Sequence, residues 1–191
     1  MTDPHLREHQ VAGEQVFDGV LLDVRRDRVA LPNGRHATRE YIVHPGAVTV
    51  VPILDDGRLV LERQYRYPIG QVLLELPAGK LDPGESAQFC AQRELAEETG
   101  YRAAQWARAG VLHNAPAYCN EVIEVWFARG LELGERSLDA GEFIDVVLMS
   151  ETELDGAAGR GEVTDAKTLV GLLWLQRWRA GHWPLDWRAP V

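Results

Sequence analysis

Glutamates crowd the segment 79–101, which reads GKLDPGESAQFCAQRELAEETGY. Successive residues of an α-helix are rotated by about 100°, so Glu94 and Glu98 would lie within about 40° of each other on one helix face. The same face would carry Cys90 and other small residues, and Glu97 would lie one residue away from it. A helix here would therefore place carboxylates beside packed protein, where an unpaired carboxylate is unfavourable.

Two kinds of positive charge can compensate these acids. Arg93 can reach Glu97 at the i, i+4 spacing and can reach back toward Glu85, but one guanidinium cannot neutralise every carboxylate of the segment. Carboxylates and water suit Mg²⁺, with Mn²⁺ as a substitute, and such ions commonly connect protein carboxylates to substrate phosphates. The alternative is a solvated acidic face, since like charges four residues apart cost only about a few tenths of a kcal/mol when exposed.

The fixed positions of this segment resemble the signature of the Nudix hydrolases, G-x5-E-x7-R-E-U-x-E-E-x-G-U, in which U is a bulky apolar residue. The segment matches every fixed position, at Gly79, Glu85, Arg93, Glu94, Leu95, Glu97, Glu98, Gly100 and Tyr101. So dense a match is far more specific than an isolated glycine motif. The resemblance implies a metal-dependent hydrolase acting on a nucleoside diphosphate that is linked to another group.

The same resemblance implies roles for the acids. The implied metal ligands are Glu94 and Glu98, then Glu97, with the backbone carbonyl of Ala78 as an extra ligand. Glu85 is implied mainly as a partner of Arg93 that holds loop to helix, with a direct metal role as the alternative, and Arg93 and Glu97 also count among the catalytic residues. A pyrophosphate repels an incoming nucleophile, so its hydrolysis needs cations on the phosphate oxygens and a base for the water.

Residues outside the signature narrow the choice of substrate. The segment 63–79, RQYRYPIGQVLLELPAG, is similar to the ADP-ribose pyrophosphatase branch of the family, which shares the Q-Y-R and E-L-P-A-G elements. Pro116 occupies a place where that branch also carries a proline. The resemblance implies hydrolysis of ADP-ribose to AMP and ribose 5-phosphate. Another nucleoside diphosphate sugar, such as GDP-mannose, is the alternative substrate, and a non-catalytic nucleotide-sugar sensor is a remote alternative.

Five further residues are candidates for substrate binding. Arg66 is the preferred phosphate ligand, because its planar guanidinium suits paired oxygens, with a surface ion pair as the alternative. Arg63 is the second choice, and Glu75 is expected to bind the terminal ribose or to orient Arg66. Phe17 and Tyr41 are candidates for stacking on adenine, or else they are core residues.

The general base is expected on the segment GERSLDAGEFIDV, which supplies Glu135, Asp139 and Glu142. Glu142 fits best because it directly precedes the strand-like FIDVV, in agreement with the loop acid of the resembling branch. A solvated loop acid is the alternative. Loops of this kind often carry function because they close over a bound ligand.

Composition excludes several classes of protein. The chain has 191 residues, 46% hydrophobic and 26% charged, which is enough for one full core. A net charge of -9 without a basic run argues against nucleic-acid binding. No apolar run approaches a membrane span, and the polar start argues against a signal peptide, so we expect a soluble cytoplasmic protein. Cys90 and Cys119 are too few for a zinc or disulfide framework.

Hydrophobic patterning predicts a mixed α/β (α+β) protein. The family resemblance implies that residues 46–191 form an α/β/α sandwich with a mixed sheet. Residues 1–45 are predicted to form a small N-terminal β-sheet subdomain. The predicted strands are 16–24, 28–31, 39–44, 47–54, 58–66, 73–76, 106–113, 121–130 and 143–149. The predicted helices are 86–98, 150–158 and 165–180.

Finer expectations accompany these elements. A hairpin turn is predicted at Asn33-Gly34, and the first helix is predicted to have acids in its first turn and Gly100 as a left-handed cap. The expected core residues of the last helix are Leu169, Leu172, Leu173, Leu175 and Trp178. The N-terminal subdomain is too small for a core of its own, so a homodimer is expected. The family resemblance implies that this subdomain crosses to the second subunit and completes its site.

Overall fold

The structure is a computed structural model that describes residues 3–191. The chain divides into two compact units. Besides the N-terminal residues, the first unit contains a segment from far along the chain, which the division at residue 45 did not include. The first unit comprises the residues up to Pro45 and His113–Glu121, and the second comprises Gly46–Leu112 and Val122–Val191.

The first unit is built on a three-stranded antiparallel sheet in the order β1-β2-β3. Its strands are β1 (His9–Asp18), β2 (Asp23–Ala30) and β3 (His36–Val43). The turn between β2 and β3 is closed by a hydrogen bond from the amide of Leu31 to the carbonyl of Arg35 at 2.7 Å. Gly34 in this turn has a φ of 78°, a conformation that favours glycine. The predicted hairpin at Asn33-Gly34 is therefore confirmed.

The predicted strands 16–24 and 28–31 are wrong in their boundaries. Gly19 donates to the carbonyl of Leu22 at 2.9 Å, so the chain turns between β1 and β2 where a continuous strand was predicted. All ten residues of β1 are exposed in this chain, so no alternation of apolar and polar residues marks its start. The boundaries of a strand without a buried face cannot be predicted from the pattern of apolar residues.

The second unit contains a seven-stranded mixed sheet in the order β10-β5-β4-β9-β8, with β6 paired to β5 and β7 paired to β4. The pair β4–β9 is parallel, and the other pairs are antiparallel. The strands are β4 (Ala47–Ile53), β5 (Leu59–Arg66), β6 (Gln71–Glu75), β7 (Ala78–Lys80), β8 (Tyr101–Leu112), β9 (Ile123–Leu133) and β10 (Ile144–Met149). The strand predicted at 106–113 thus begins five residues earlier, at Tyr101.

Helices cover both faces of this sheet, which confirms the predicted α/β/α sandwich. They are α1 (Ala87–Thr99), α2 (Glu151–Gly159) and α3 (Ala166–Arg179). Every residue of β4 is buried. Val48 and Val50 pack in one cluster with residues of α1, while Val51 and Ile53 pack in a second cluster with residues of α2 and α3. A strand buried on both faces is nearly all apolar, as β4 is.

The first helix, α1, has well-defined ends. Ser86 is its N-cap and accepts a hydrogen bond from the amide of Phe89 at 3.2 Å. Gly100 adopts the left-handed conformation with a φ of 81° and donates to the carbonyl of Ala96 at 2.9 Å, as predicted. The prediction of acids in the first turn is wrong, because Glu85 precedes the cap and is turned toward Arg93.

The last helix, α3, buries one side only. Leu172 and Leu175 are buried and Trp178 packs against the same cluster, but Leu169 and Leu173 are 39% and 44% exposed, so the prediction that they are core is wrong. At about 100° per residue, these two leucines point more than about 100° away from the buried side. Among residues 3–191, no helix is long and apolar enough to cross a membrane.

Candidate active site

Arg93 lies at the centre of the signature acids. Its Nε and Nη2 donate to Glu85 at 2.8 and 3.0 Å, and its Nη1 donates to Glu94 and Glu97 at 2.8 and 2.9 Å. Nη2 also donates to the carbonyl of Lys80 at 3.2 Å. The hydrogen bonds from Arg93 lower the pKa of Glu85 to about 2. Arg93 thus connects the loop before α1 to the acids on the helix.

The two most buried acids of α1 resist ionisation. Glu98 is 3% exposed, and its carboxylate accepts a hydrogen bond from the amide of Ala78 at 3.0 Å. Burial, followed by repulsion from Glu62 and Glu94, raises the pKa of Glu98 well above its ordinary value. Burial also raises the pKa of Glu94, to about 7, although Arg93 acts in the opposite direction. A cation beside these groups would relieve the cost of their charge.

Glu62, on β5, is a further acid of this site that the sequence analysis missed. It is fully buried, and within residues 3–191 neither of its carboxylate oxygens has a hydrogen-bond partner. It pairs with Glu75 across β5 and β6, and burial, followed by the charge of Glu75, raises its pKa. The available signal was a charged residue directly after the apolar run 59–61 inside a predicted strand.

Gly79 leaves space for the carboxylate of Glu94. A side chain at this position would overlap the carboxylate of Glu94, which lies directly against the glycine backbone. The φ of Gly79 is outside the left-handed region, so the need for glycine here is the close approach of Glu94 and not an unusual backbone conformation. The first residue of the signature therefore creates the place that the Glu94 carboxylate occupies.

The loop between β9 and β10 is fastened to the end of α1. The amide of Gly134 donates to the carbonyl of Gly100 at 2.8 Å, and the amide of Ser137 donates to the carbonyl of Glu97 at 3.2 Å. The second bond uses a carbonyl in the last turn of the helix, where such groups lack partners within the helix. These two bonds bring the loop to the same end of α1 as the acids.

Glu142 stands near the end of this loop. Its carboxylate accepts from the amide of Asp139 at 3.2 Å, and its own amide donates to the carbonyl of Asp139 at 3.0 Å. The charge of Glu142 contributes to raising the pKa values of Glu94 and Glu98. Glu142 is therefore close enough to the acids to interact with them, while its partners are main-chain groups of its own loop.

Arg66 and Glu75 form a two-pronged ion pair. The Nε and Nη2 of Arg66 donate to the two carboxylate oxygens of Glu75 at 2.7 and 2.8 Å. The Glu75 side chain is 1% exposed, whereas the Arg66 side chain is 38% exposed. A buried carboxylate thus holds one edge of a guanidinium that is open to solvent, so the contact orients Arg66. Binding of a ribose by Glu75 stays a prediction.

Arg63 lies apart from this pair. It lines a cavity of about 410 Å³ that Arg136, Glu142 and Phe143 also line. Arg63 and Arg66 are three residues apart on β5, and side chains at that spacing point to opposite faces of a regular strand. The two arginines therefore reach different surroundings, and Arg63 shares its cavity with the loop acid Glu142.

The remaining candidates belong to the first unit. Tyr41 and Pro116 both line a cavity of about 350 Å³ in that unit, together with Tyr118. The hydroxyl of Tyr41 donates to Asp27 at 3.0 Å. Phe17 is 56% exposed on β1, so it is not a core residue of this unit. Roles for Phe17, Tyr41 and Pro116 in substrate binding stay predictions.

The acid cluster, defined as Glu62, Glu85, Glu94, Glu97 and Glu98, suits a hard divalent cation by its chemistry. Arg93 bonds to three of these acids, while Glu62 and Glu98 are buried without a cationic hydrogen-bond partner in the described part of the chain. Within that part, no three His, Cys, Asp or Glu side chains already stand in the geometry of a metal site. The donors fit a cation, but they are not preassembled around one.

Comparison with family models assigns both parts of the chain. Residues 43–172 match the NUDIX domain, and residues 8–42 match the nucleoside diphosphate sugar hydrolase N-terminal domain. The first of these models covers well over half of the chain and contains the whole acid cluster. The second covers β1, β2 and all of β3 except its last residue.

Similar proteins agree with this assignment. The ADP-ribose pyrophosphatase of Bacillus subtilis (strain 168) is 37% identical over 173 residues, 90% of this chain and 94% of the relative. The methanol dehydrogenase activator of Bacillus methanolicus is 36% identical over 171 residues, 88% and 92% of the two chains. A crystal structure of an ADP compounds hydrolase matches with a TM-score of 0.83 at 27% identity, covering 92% of this chain and 96% of that chain. The chain therefore belongs to the Nudix family of hydrolases.

Proposed function

We propose that this protein hydrolyses the pyrophosphate bond of ADP-ribose with the help of Mg²⁺, for which Mn²⁺ can substitute. Water adds to one phosphorus, the bridging P–O bond breaks, and the products are AMP and ribose 5-phosphate. The observation that carries the proposal is the acid cluster around Arg93 on α1. The relative named ADP-ribose pyrophosphatase, 37% identical over most of both chains, supports the choice of substrate.

Glu94 and Glu98 are the proposed direct ligands of the cation, with Glu97 and the carbonyl of Ala78 beside them. When bound, the cation would neutralise charge on the phosphate oxygens, a large contribution to such reactions. Glu85 acts mainly through Arg93, since its carboxylate accepts two hydrogen bonds from that guanidinium. The buried position of Glu98 keeps water away from its carboxylate and strengthens its attraction for a cation.

Three residues outside α1 complete the proposed reaction. Arg66 binds the phosphates, because Glu75 holds one edge of its guanidinium and leaves the side chain partly open to solvent. Arg63 supports the substrate from the cavity that it shares with Glu142. Glu142 is the general base that removes a proton from the attacking water, and its interaction with Glu94 and Glu98 supports this role.

Gly79→Ala is expected to lower kcat/KM for ADP-ribose by about 100-fold, because a misplacement of about 1 Å at a reacting centre costs that much. The added methyl group would overlap the Glu94 carboxylate and force it away. Steady-state kinetics measures the loss, and Mg²⁺ titration should show weaker binding. Gly84→Ala is a poor control because Gly84 has a φ of 81°, so Gly159→Ala, where a methyl group meets open space, is the matched variant. Unchanged kinetics in Gly79→Ala would contradict the proposed place of Glu94.

Stability of the protein without cations is expected to fall as pH rises from about 5 to about 8. The pKa of Glu94 is about 7 in the folded state and lower when unfolded, so in this window the folded protein holds more protons. Its unfolding free energy therefore decreases with rising pH. Cations bind the ionised carboxylates, so added Mg²⁺ should raise Tm more at about pH 8 than at about pH 5.5. Equal shifts of Tm at both pH values would argue against cation binding by these acids.

The substrate assignment is tested by product analysis. With Mg²⁺ present, ADP-ribose should be consumed much faster than GDP-mannose, and AMP and ribose 5-phosphate should appear in equal amounts. Faster turnover of GDP-mannose would reject ADP-ribose as the preferred substrate and support the alternative, another nucleoside diphosphate sugar. A sensor would bind ADP-ribose without consuming it, and the complete acid cluster argues against that alternative.

We further propose that the protein is a homodimer and works in the cytoplasm. Every residue of β1 is exposed in the single chain, and exposed apolar side chains lie on β1 and in the turn that follows it. They are Val11, Val16, Phe17, Val20, Leu21 and Leu22. Such a surface favours pairing with a second copy. Sedimentation equilibrium should give twice the chain mass of 21.4 kDa, and the chain mass itself would reject the dimer. Two free cysteines agree with a reducing compartment.

A further inference from the structure

Lysine is rare in this chain. Lys80 and Lys167 are the only lysines, and the other cationic side chains among the 20 Lys and Arg residues are arginines. Lys167 is the second residue of α3 and its side chain is 11% exposed. A cation in the first turn of a helix is disfavoured by the helix dipole, and burial adds a further cost. The unfavourable placement of this ammonium must therefore be offset by other interactions.

Two acids surround the Lys167 ammonium. Its Nζ forms an ion pair with the carboxylate of Glu75 and a second one with Asp165 at 3.0 Å. Asp165 is the N-cap of α3 and accepts from the amide of Thr168 at 2.9 Å. The hydroxyl of Thr168 in turn accepts from the amide of Leu76 at 2.8 Å. The start of α3 is thus fastened to the end of β6, directly beside Glu75.

Glu75 is the link between Lys167 and Arg66. Burial acts to raise the pKa of Glu75, but the hydrogen bonds and charges of Arg66 and Lys167 outweigh burial and hold that pKa below its ordinary value. The other titratable group that faces Glu75 is Glu62, which is buried, lacks a hydrogen-bond partner within residues 3–191 and repels it. Without Lys167, Arg66 alone would therefore have to compensate the charge of the buried Glu75 carboxylate, which lies next to a second acid, Glu62.

We propose that Lys167 is a positioning residue, which holds the Glu75 carboxylate in place so that both of its oxygens bind the Nε and Nη2 edge of Arg66 and leave the rest of that guanidinium for the substrate. This inference rests on the proposed role of Arg66 in binding the phosphates of ADP-ribose. Lysine suits the position because a compact ammonium fits between two carboxylates, whereas the wider guanidinium suits a flat pair of oxygens such as the one that Arg66 meets.

The kinetic test uses Lys167→Met, Glu75→Gln and the double variant. Each single change should raise KM for ADP-ribose by about tenfold with a smaller change in kcat, since it loosens a binding group. The double variant should be no worse than Glu75→Gln alone, because Lys167 acts through Glu75. If the increases in KM of the two single variants multiplied in the double variant, the proposal would be overturned. Lys167→Arg should recover part of the loss, and Arg160→Met, which removes a surface ion pair with Glu162, should change nothing.

A second measurement does not depend on turnover. The Nε–H resonance of Arg66, assigned by its disappearance in Arg66→Lys, should be protected from solvent exchange in the wild type and should exchange faster in Lys167→Met. Thermal unfolding shows that the variants are folded. If the wild type failed to hydrolyse ADP-ribose, the proposed function would be wrong while this resonance still decided the positioning role. Equal protection in the wild type and in Lys167→Met would reject that role.

Discussion

Glu98→Gln is expected to lower kcat/KM for ADP-ribose by about 1,000-fold or more, because it removes the charge of a proposed ligand of the cation. The amide has nearly the shape of the carboxylate, and its oxygen can still accept the hydrogen bond from the amide of Ala78. The fold should therefore be retained. Steady-state kinetics and thermal unfolding of the same preparation measure both effects.

The stability of this variant adds a second expectation. In the wild type, Glu62 and Glu94 repel a charged Glu98, and its burial opposes ionisation. Removing that charge should leave Tm without cations unchanged or raised, and the increase in Tm on adding Mg²⁺ should shrink. Glu162→Gln removes an exposed acid in the loop between α2 and α3 and serves as the control. Near-normal turnover in Glu98→Gln would contradict its assignment as a ligand.

Glu142→Gln is expected to lower kcat by about 100- to 1,000-fold with little change in KM, as expected for loss of a general base that does not bind the ground state. Glu142 lies on a loop fastened to the last turn of α1 by hydrogen bonds to the carbonyls of Gly100 and Glu97. Its carboxylate is therefore held near the acids without being bound to Arg93. Rates at saturating ADP-ribose and Mg²⁺ measure kcat.

Asp139→Asn provides a matched control for this assignment. The two hydrogen bonds between Asp139 and Glu142 use the main chain of Asp139, so the substitution removes a loop charge and keeps the loop geometry. We expect activity close to that of the wild type. Loss of activity in Asp139→Asn combined with normal activity in Glu142→Gln would show that the base is Asp139.

The sequence was sufficient for the features that depend on local spacing. The helix α1, its left-handed cap at Gly100 and the closeness of Arg93 to Glu85 and Glu97 follow from residues within a few turns of one another. The apolar run 47–54 similarly predicted a strand, which the structure confirms as β4. These features are set by covalent geometry and periodicity, so a single sequence contains them.

The features that the sequence could not provide are contacts between distant residues. Lys167 meets Glu75 across 92 positions of the chain, and no local pattern brings α3 to β6. Glu62 directly follows the apolar run 59–61 of β5, and its cross-strand partner Glu75 is identified only when β5 and β6 are paired. Leu169 and Leu173 were expected in the core because apolar spacing does not tell which side of α3 the sheet covers.

Calorimetric titration of Mg²⁺ into the protein, with and without a non-hydrolysable analogue of ADP-ribose, tests the central claim most directly. We expect saturable binding to the wild type that tightens when the analogue is present, because the cation would contact both the acid cluster and the phosphates. Glu98→Gln should bind Mg²⁺ at least about tenfold more weakly. Absence of Mg²⁺ binding under both conditions would contradict the claim that the acids of α1 hold a cation for pyrophosphate hydrolysis.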